Sequence, residues 1–167
     1  SGGARGSACR QVGDGVTTRV VEEREEADGE LEEISRNFFA IDAATGDVFY
    51  FGEEVDIYED GALVKHEGAW LAGRKGAKPG LLMPGSPVVG QRYYQELAPG
   101  EALDRAEVLD LAYCLKTPAA TLEACLRTRE TSALKPQEKD MKTYAPGIGL
   151  IQDEDLLLVR HGMLKAK

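Results

Sequence analysis

The sequence predicts an all-β protein: a strongly curved antiparallel sheet or half-open barrel of about nine to ten strands, with a two-layer β-sandwich as the alternative. Three observations predict it. Gly- and Asp-containing turn signals recur about every dozen residues. The runs between them are rich in Val, Thr, Phe and Tyr and alternate in polarity. Long helical periodicity is nearly absent. The composition fits this class, with 43% hydrophobic and 29% charged residues in a chain of 167, enough to bury a core.

Taken in order, Val16–Glu26 (VTTRVVEEREE) favours a strand, with Val16, Thr18 and Val20 on one face. Its acidic end is also compatible with the start of a helix. Asp28-Gly29 turns the chain into a second strand, Leu31–Ile41, and the pair reads as a β-hairpin. A turn at Ala43–Asp47 leads to the strand Val48–Tyr58. Asp60-Gly61 starts a third hairpin with Ala62–Lys65 as its return. Strands are then expected at Gln91–Leu97, Ala106–Leu115, Thr121–Thr131, Lys139–Tyr144, Gly149–Gln152 and Leu156–Arg160, with a helical turn at Glu101–Arg105. Pro118–Arg129 is the best helix candidate, but a strand is preferred there.

The long stretch Glu67–Asp104 stands apart. It holds the only tryptophan, Trp70, and four of the seven prolines: Pro79, Pro84, Pro87 and Pro99. Trp70, Leu81, Leu82 and Met83 give it apolar anchors, so it reads as a packed Gly/Pro-rich crossover between two antiparallel meanders. Residues 1–14 read as a flexible lead-in (a mature terminus, a processing remnant or an added scar), 15–162 as a single β-rich domain, and 163–167 as a tail.

The net charge of −9 argues against nucleic acid and anionic lipid as partners, because both are polyanions. No apolar run approaches the roughly 20 residues of a membrane helix. Cys9, Cys114 and Cys125 form no CxxC, and with only His66 and His161 available a structural zinc site is not expected.

Five phrases occur in a characteristic order: FYFGEEVDIYEDGALV, HEGAWLAG with GAKPGLLMPG, RYYQELAPGEALDRAEV, TPAATLEACLRTRET and YAPGIGL. Together they resemble a family of uncharacterised bacterial exported proteins and lipoproteins, over about Gly15 to Gly162. The resemblance implies an extracytoplasmic β-rich domain (periplasmic, secreted or outer-surface) and supplies no catalytic residues. Members of the family carry at least one more strand before the GVTTRVVEERE segment; here SGGARGSACRQVGD precedes it. The expectation is either a replacement of that strand or an open sheet edge at Val16–Glu26, on which a protein partner would pair. Cys9 lacks the leucine three residues before it that a lipobox needs, so lipidation there is not expected.

Candidate chemistry falls into several groups. In regular strands, Cys114 and Cys125 both lie on the more polar face, and a hairpin closing near Ala119-Ala120 places them opposite each other. With an oxidising compartment, that predicts a Cys114–Cys125 disulfide. The carboxylates Glu54, Asp56, Glu96, Glu101 and Asp104 are candidate ligands for a hard cation such as Ca²⁺, or a pair for acid/base hydrolysis; solvated or salt-bridged strand faces are the plainer reading. If Gly52 makes a bulge, Glu54 and Asp56 follow Phe49 and Phe51 on one face; if not, Glu53 does. The rings of Phe38, Phe39, Phe49, Tyr50, Phe51, Trp70, Tyr93 and Tyr94 are enough to line a pocket for an apolar or amphiphilic ligand, with Phe49, Phe51, Trp70, Tyr93 and Tyr94 the chief candidates, against the alternative that they fill the core. Arg74, Lys75 and Lys78 could meet an anion but read better as solvated loop residues. No motif frames either histidine for nucleophilic catalysis. The sequence therefore favours a non-catalytic extracytoplasmic binding domain. A carboxylate hydrolase, metal-assisted or not, and an interaction module of an exported assembly are the alternatives.

Overall fold

The computed structural model describes residues 2–12 and 15–162. Every regular element among them is a strand: β1 (Gly2–Val12), β2 (Val16–Ala27), β3 (Glu30–Ile41), β4 (Val48–Glu59), β5 (Ala62–His66), β6 (Trp70–Leu71), β7 (Gly80–Met83), β8 (Arg92–Tyr94), β9 (Asp104–Lys116), β10 (Thr121–Ser132), β11 (Asp140–Ala145), β12 (Gly149–Asp153) and β13 (Leu156–Leu157). They form two antiparallel sheets, and neither is closed into a barrel. Among the described residues the strands number thirteen, where nine or ten were expected. Part of the excess comes from β6, a segment of two residues that turn spacing does not signal.

The first sheet runs β1-β2-β3-β4-β5, with β6 and β7 also paired to β4. Hairpins dictate its order. Asp28 (φ 51°) with Gly29 (φ 86°), and Asp60 (φ 50°) with Gly61 (φ 74°), are consecutive left-handed pairs. Such turns match the right-handed twist of the strands they join. Two expectations change here. Gly2–Val12 is not a flexible lead-in but a strand, registered on β2 from Gly2↔Glu25 to Val12↔Val16. Consequently the edge at Val16–Glu26 is covered and does not await a partner's strand.

The outer edge of β4 is shared by three short segments. Asp56–Glu59 pairs with β5, Gly52 and Glu53 with β6, and Val48–Tyr50 with β7. Two short pieces of the Gly/Pro-rich stretch are thus laid along the edge of β4. Two of its glycines allow close backbone approach elsewhere: a Cβ at Gly80 would lie 1.9 Å from the Gln95 carbonyl oxygen, and one at Gly85 would lie 2.2 Å from that of Thr45. The helical turn expected at Glu101–Arg105 is instead a tight turn closed by Ala98 and Ala102.

The second sheet runs β13-β12-β11-β10-β9-β8. Pro118–Arg129 contributes a strand, as preferred from sequence. By compactness the chain divides into two units where one domain was expected: Ser1–Ser86 with Tyr94–Arg105, and Pro87–Tyr93 with Ala106–Lys167. The first has a core of Val20, Phe38, Tyr50, Phe51, Trp70 and small alanines at 72, 77 and 98. The second has a smaller apolar cluster around Cys125, Ala145 and Ile151. No helix among the described residues is long and apolar enough to cross a membrane.

Candidate functional site

The site grows from one glycine. On β4, Tyr50 faces Phe39 and Glu53 faces Asn37, so Phe51 and Gly52 together oppose the single residue Phe38. This is a β-bulge, and it inverts the side-chain alternation halfway along the strand. Gly52 has φ 117°, and a Cβ there would lie 2.1 Å from the Trp70 carbonyl oxygen. Only glycine fits both constraints. The bulge branch of the sequence expectation is the one realised: Glu54 and Asp56 continue the face of Phe49 and Phe51. Tyr50, Glu53 and Val55 share the other face with Asn37 and Ser35 of β3 and Glu23 of β2.

These two faces treat carboxylates differently. On the Phe51 face, Arg36 bonds Asp56 at 3.0 Å and Glu22 at 3.4 Å, and His66 Nδ1 lies 2.7 Å from Asp56. The hydrogen bond from Arg36, with help from His66, holds the Asp56 carboxyl below its usual range.

On the Tyr50 face, Glu53 is half-buried, and its electrostatic neighbours include Glu33, Glu23 and Asp104. Burial, reinforced by these like charges and opposed by a hydrogen bond with Tyr50, pushes the Glu53 carboxyl up to about 7. Glu33 is also raised, first by burial and then by Glu25 and Glu23. The buried Tyr50 hydroxyl donates to Asn37 Oδ1, while Asn37 Nδ2 donates to Glu23 Oε2 at 3.2 Å and to Ser35 Oγ at 3.3 Å.

Aromatic rings close the site. Tyr50 stacks on Phe39 with ring centroids 4.9 Å apart, and meets Trp70 edge-on at 5.3 Å. Both arrangements suit the ring quadrupoles. Trp70 is placed by its pairing with Glu53, and its indole N–H points to Glu96 Oε1 at 3.4 Å. The result is an aromatic corner rimmed by half-buried carboxyls.

The residues singled out from sequence scatter. Phe51 and Trp70 are core residues and Phe49 packs against them. Tyr94 is exposed beneath the Arg105 guanidinium, 5.9 Å from its ring centre. Tyr93 belongs to the other compact unit, where burial and Glu130 raise its hydroxyl's pKa. Of the carboxylates, Asp56 is bound to Arg36 and His66, Glu96 to Trp70 and Glu101 to Lys75 at 3.7 Å. Asp104 acts electrostatically on Glu53, and Glu54 lies on the opposite face of β4. Among the described residues no three acidic, histidine or cysteine side chains converge to hold a metal ion. Arg74 and Lys78 are exposed loop residues, like Lys75.

The expected disulfide is absent: Cys114 is an exposed free thiol and Cys125 a buried one. The reason is a second bulge. Ala124 has φ 53°, and Leu122 and Cys125 on either side of it both pack into one cluster. Unbroken alternation would set them on opposite faces. Tyr113 and Leu115 join that cluster, leaving Cys114 between them pointing the other way. The side chain of Cys9 lies outside the described residues. Asn37 and Glu23 were not singled out from sequence, and Tyr50 only as one ring among several; the available signal was Gly52, whose bulge sets Tyr50 and Glu53 on one face.

No family model, curated protein or solved structure matches this chain.

Proposed function

We propose that the protein is a non-catalytic binding domain of an extracytoplasmic compartment. Its ligand is a small amphiphile whose cationic head meets the carboxyls around Glu53 and Glu96, and whose apolar part meets the rings of Trp70, Tyr50 and Phe39. The observation that carries this reading is the convergence of aromatic faces and carboxyls at one corner of the first compact unit. An ammonium group there would offset the mutual repulsion of Glu23, Glu33, Glu53 and Asp104 and gain cation–π attraction from the rings. The family resemblance supports the compartment.

Calorimetric titration with a medium-chain alkylammonium, and with the alcohol and carboxylate of equal length, tests the reading. The ammonium compound binds at least tenfold tighter than the others, and Glu53→Gln removes that preference. Equal affinity for all three head groups, or no binding at millimolar concentration, overturns it.

One observation favours a second reading. A carboxyl whose pKa burial raises to about 7 beside other carboxyls resembles the acid of a glycoside-cleaving pair. Turnover of aryl glycosides that vanishes in Glu53→Gln would replace the binding reading with this one.

A further inference from the structure

Charge is divided unevenly between the two compact units. Pro87–Tyr93 with Ala106–Lys167 holds ten lysines and arginines against nine aspartates and glutamates, so the acidic excess of the chain belongs to the other unit. The whole-chain argument against anionic partners therefore does not reach this one.

Its arginines are not alike. Beyond the bulge at Ala124, alternation along β10 sets Cys125, Arg127 and Arg129 on one face. Arg129 is bonded to Glu107 at 2.6 Å, and Arg92 takes the same carboxylate at 3.2 Å. Arg127 is half-buried and makes no ion pair among the described residues. Its guanidinium lies over the Tyr113 ring, 4.6 Å from the ring centre. Its Nε–H is buried without an acceptor among the described residues. Its cross-strand neighbour on β11 is Thr143, whose hydroxyl donates to Gln152 at 2.9 Å. A guanidinium stays charged at every accessible pH. Drawing it out of water without a counter-charge is costly, and the ring face offsets only part of that cost. Tyr113 is itself held in the apolar cluster with Leu115, Leu122 and Cys125. Arg127 is thus a braced donor fork rather than a free surface side chain.

We propose that Arg127, braced on Tyr113, anchors a binding site for a phosphate-type oxyanion. The guanidinium fork donates parallel N–H bonds to two oxygens of the anion. Arg92, Arg127 and Arg129 against the single carboxylate of Glu107 leave an excess of two positive charges. That excess favours a dianion over a monoanion. The site lies in the second compact unit and does not rest on the cationic-amphiphile reading of the corner around Glu53.

The experiment titrates the full-length, ¹⁵N-labelled chain with sodium phosphate at pH 7 and follows the arginine Nε–H resonances. Acetate and chloride at matched ionic strength are the comparison. Contact with the Tyr113 ring protons identifies the Arg127 resonance. Phosphate should move it saturably, with half-saturation at about 1 mM, and acetate should bind about tenfold more weakly. Chloride should leave it in place. By calorimetry, Arg127→Gln should weaken phosphate binding at least about tenfold, and Arg127→Lys, which keeps the charge but not the fork, should recover only part of it. Equal shifts with phosphate and chloride overturn the site, as does phosphate binding that survives Arg127→Gln unchanged. Acetate binding as tightly as phosphate overturns the assignment to a dianion. Should Arg127→Gln fail to fold, the comparison of the three salts on the wild type decides.

Discussion

Two strands in this molecule carry the same device in different chemistry. β4 and β10 are each 12 residues long, and each reverses its side-chain alternation at a residue of positive φ. In β4 that residue is Gly52, pressed against the Trp70 backbone. In β10 it is Ala124, which is exposed. The first bulge brings Tyr50 and Glu53 together and admits β6 to the edge. The second turns Cys125 into an apolar cluster, while Cys114 stays exposed. Glycine announces its bulge to a reader of the sequence, whereas alanine conceals one. A left-handed alanine costs about 1–2 kcal/mol, so neighbouring packing must hold it there.

The largest effect should come from breaking the first bulge. Gly52→Ala places a methyl 2.1 Å from the Trp70 carbonyl oxygen at φ 117°. We expect a loss of about 3–5 kcal/mol or failure to fold, measured by chemical denaturation. Gly80→Ala, with a clash at 1.9 Å but no positive φ, separates crowding from backbone strain. If both substitutions cost under 1 kcal/mol, close backbone approach is not what selects these glycines.

Next in size, Tyr50→Phe removes the hydroxyl that the first bulge sets between Asn37 and Glu53. A loss of about 1–3 kcal/mol is expected at pH 6, because the buried Asn37 oxygen loses its donor. The cost should grow as pH rises through 7, because the Tyr50 hydroxyl favours the ionised form of Glu53. A pH-independent cost would separate Tyr50 from the protonation of Glu53.

Ala124→Gly should stabilise the protein by about 0.5–1 kcal/mol, because glycine relieves the left-handed strain at the expense of some backbone entropy. Destabilisation would mean that the alanine methyl packs usefully and that the two bulges differ more than their φ values suggest.

The smallest perturbation is chemical labelling. Without denaturant, alkylation followed by peptide mapping should modify Cys114 and spare Cys125, whose thiol pKa is raised by burial first and by the Cys114 thiol second. A Cys114–Cys125 linked peptide from non-reduced protein would restore the disulfide and require Cys125 to leave its cluster.

These cases also show how far the candidate site was legible. The hairpins at Asp28-Gly29 and Asp60-Gly61 could be read because the φ values they need belong to a narrow set of residues. The carboxylate–aromatic corner was half legible. Glu96, Asp104 and Trp70 were in view, but their partners Tyr50, Asn37 and Glu23 depend on the register of three strands, and β4 shifts that register at Gly52. The short strands β6 and β7 carry no alternation of their own and become strands by pairing with β4.

By itself, then, the sequence determined the all-β class, the hairpin order of β2 to β5 and the strand character of β9 to β12. Those follow from local turn chemistry and period-2 patterning, which act within a few residues. Only the tertiary structure decided which carboxylates gather, which face each cysteine takes, and that two short pieces of the Gly/Pro-rich stretch pair with the edge of β4. Each depends on backbones meeting across long sequence separations. A one-residue slip at Gly52 or Ala124 reverses the facing of the residues beyond it.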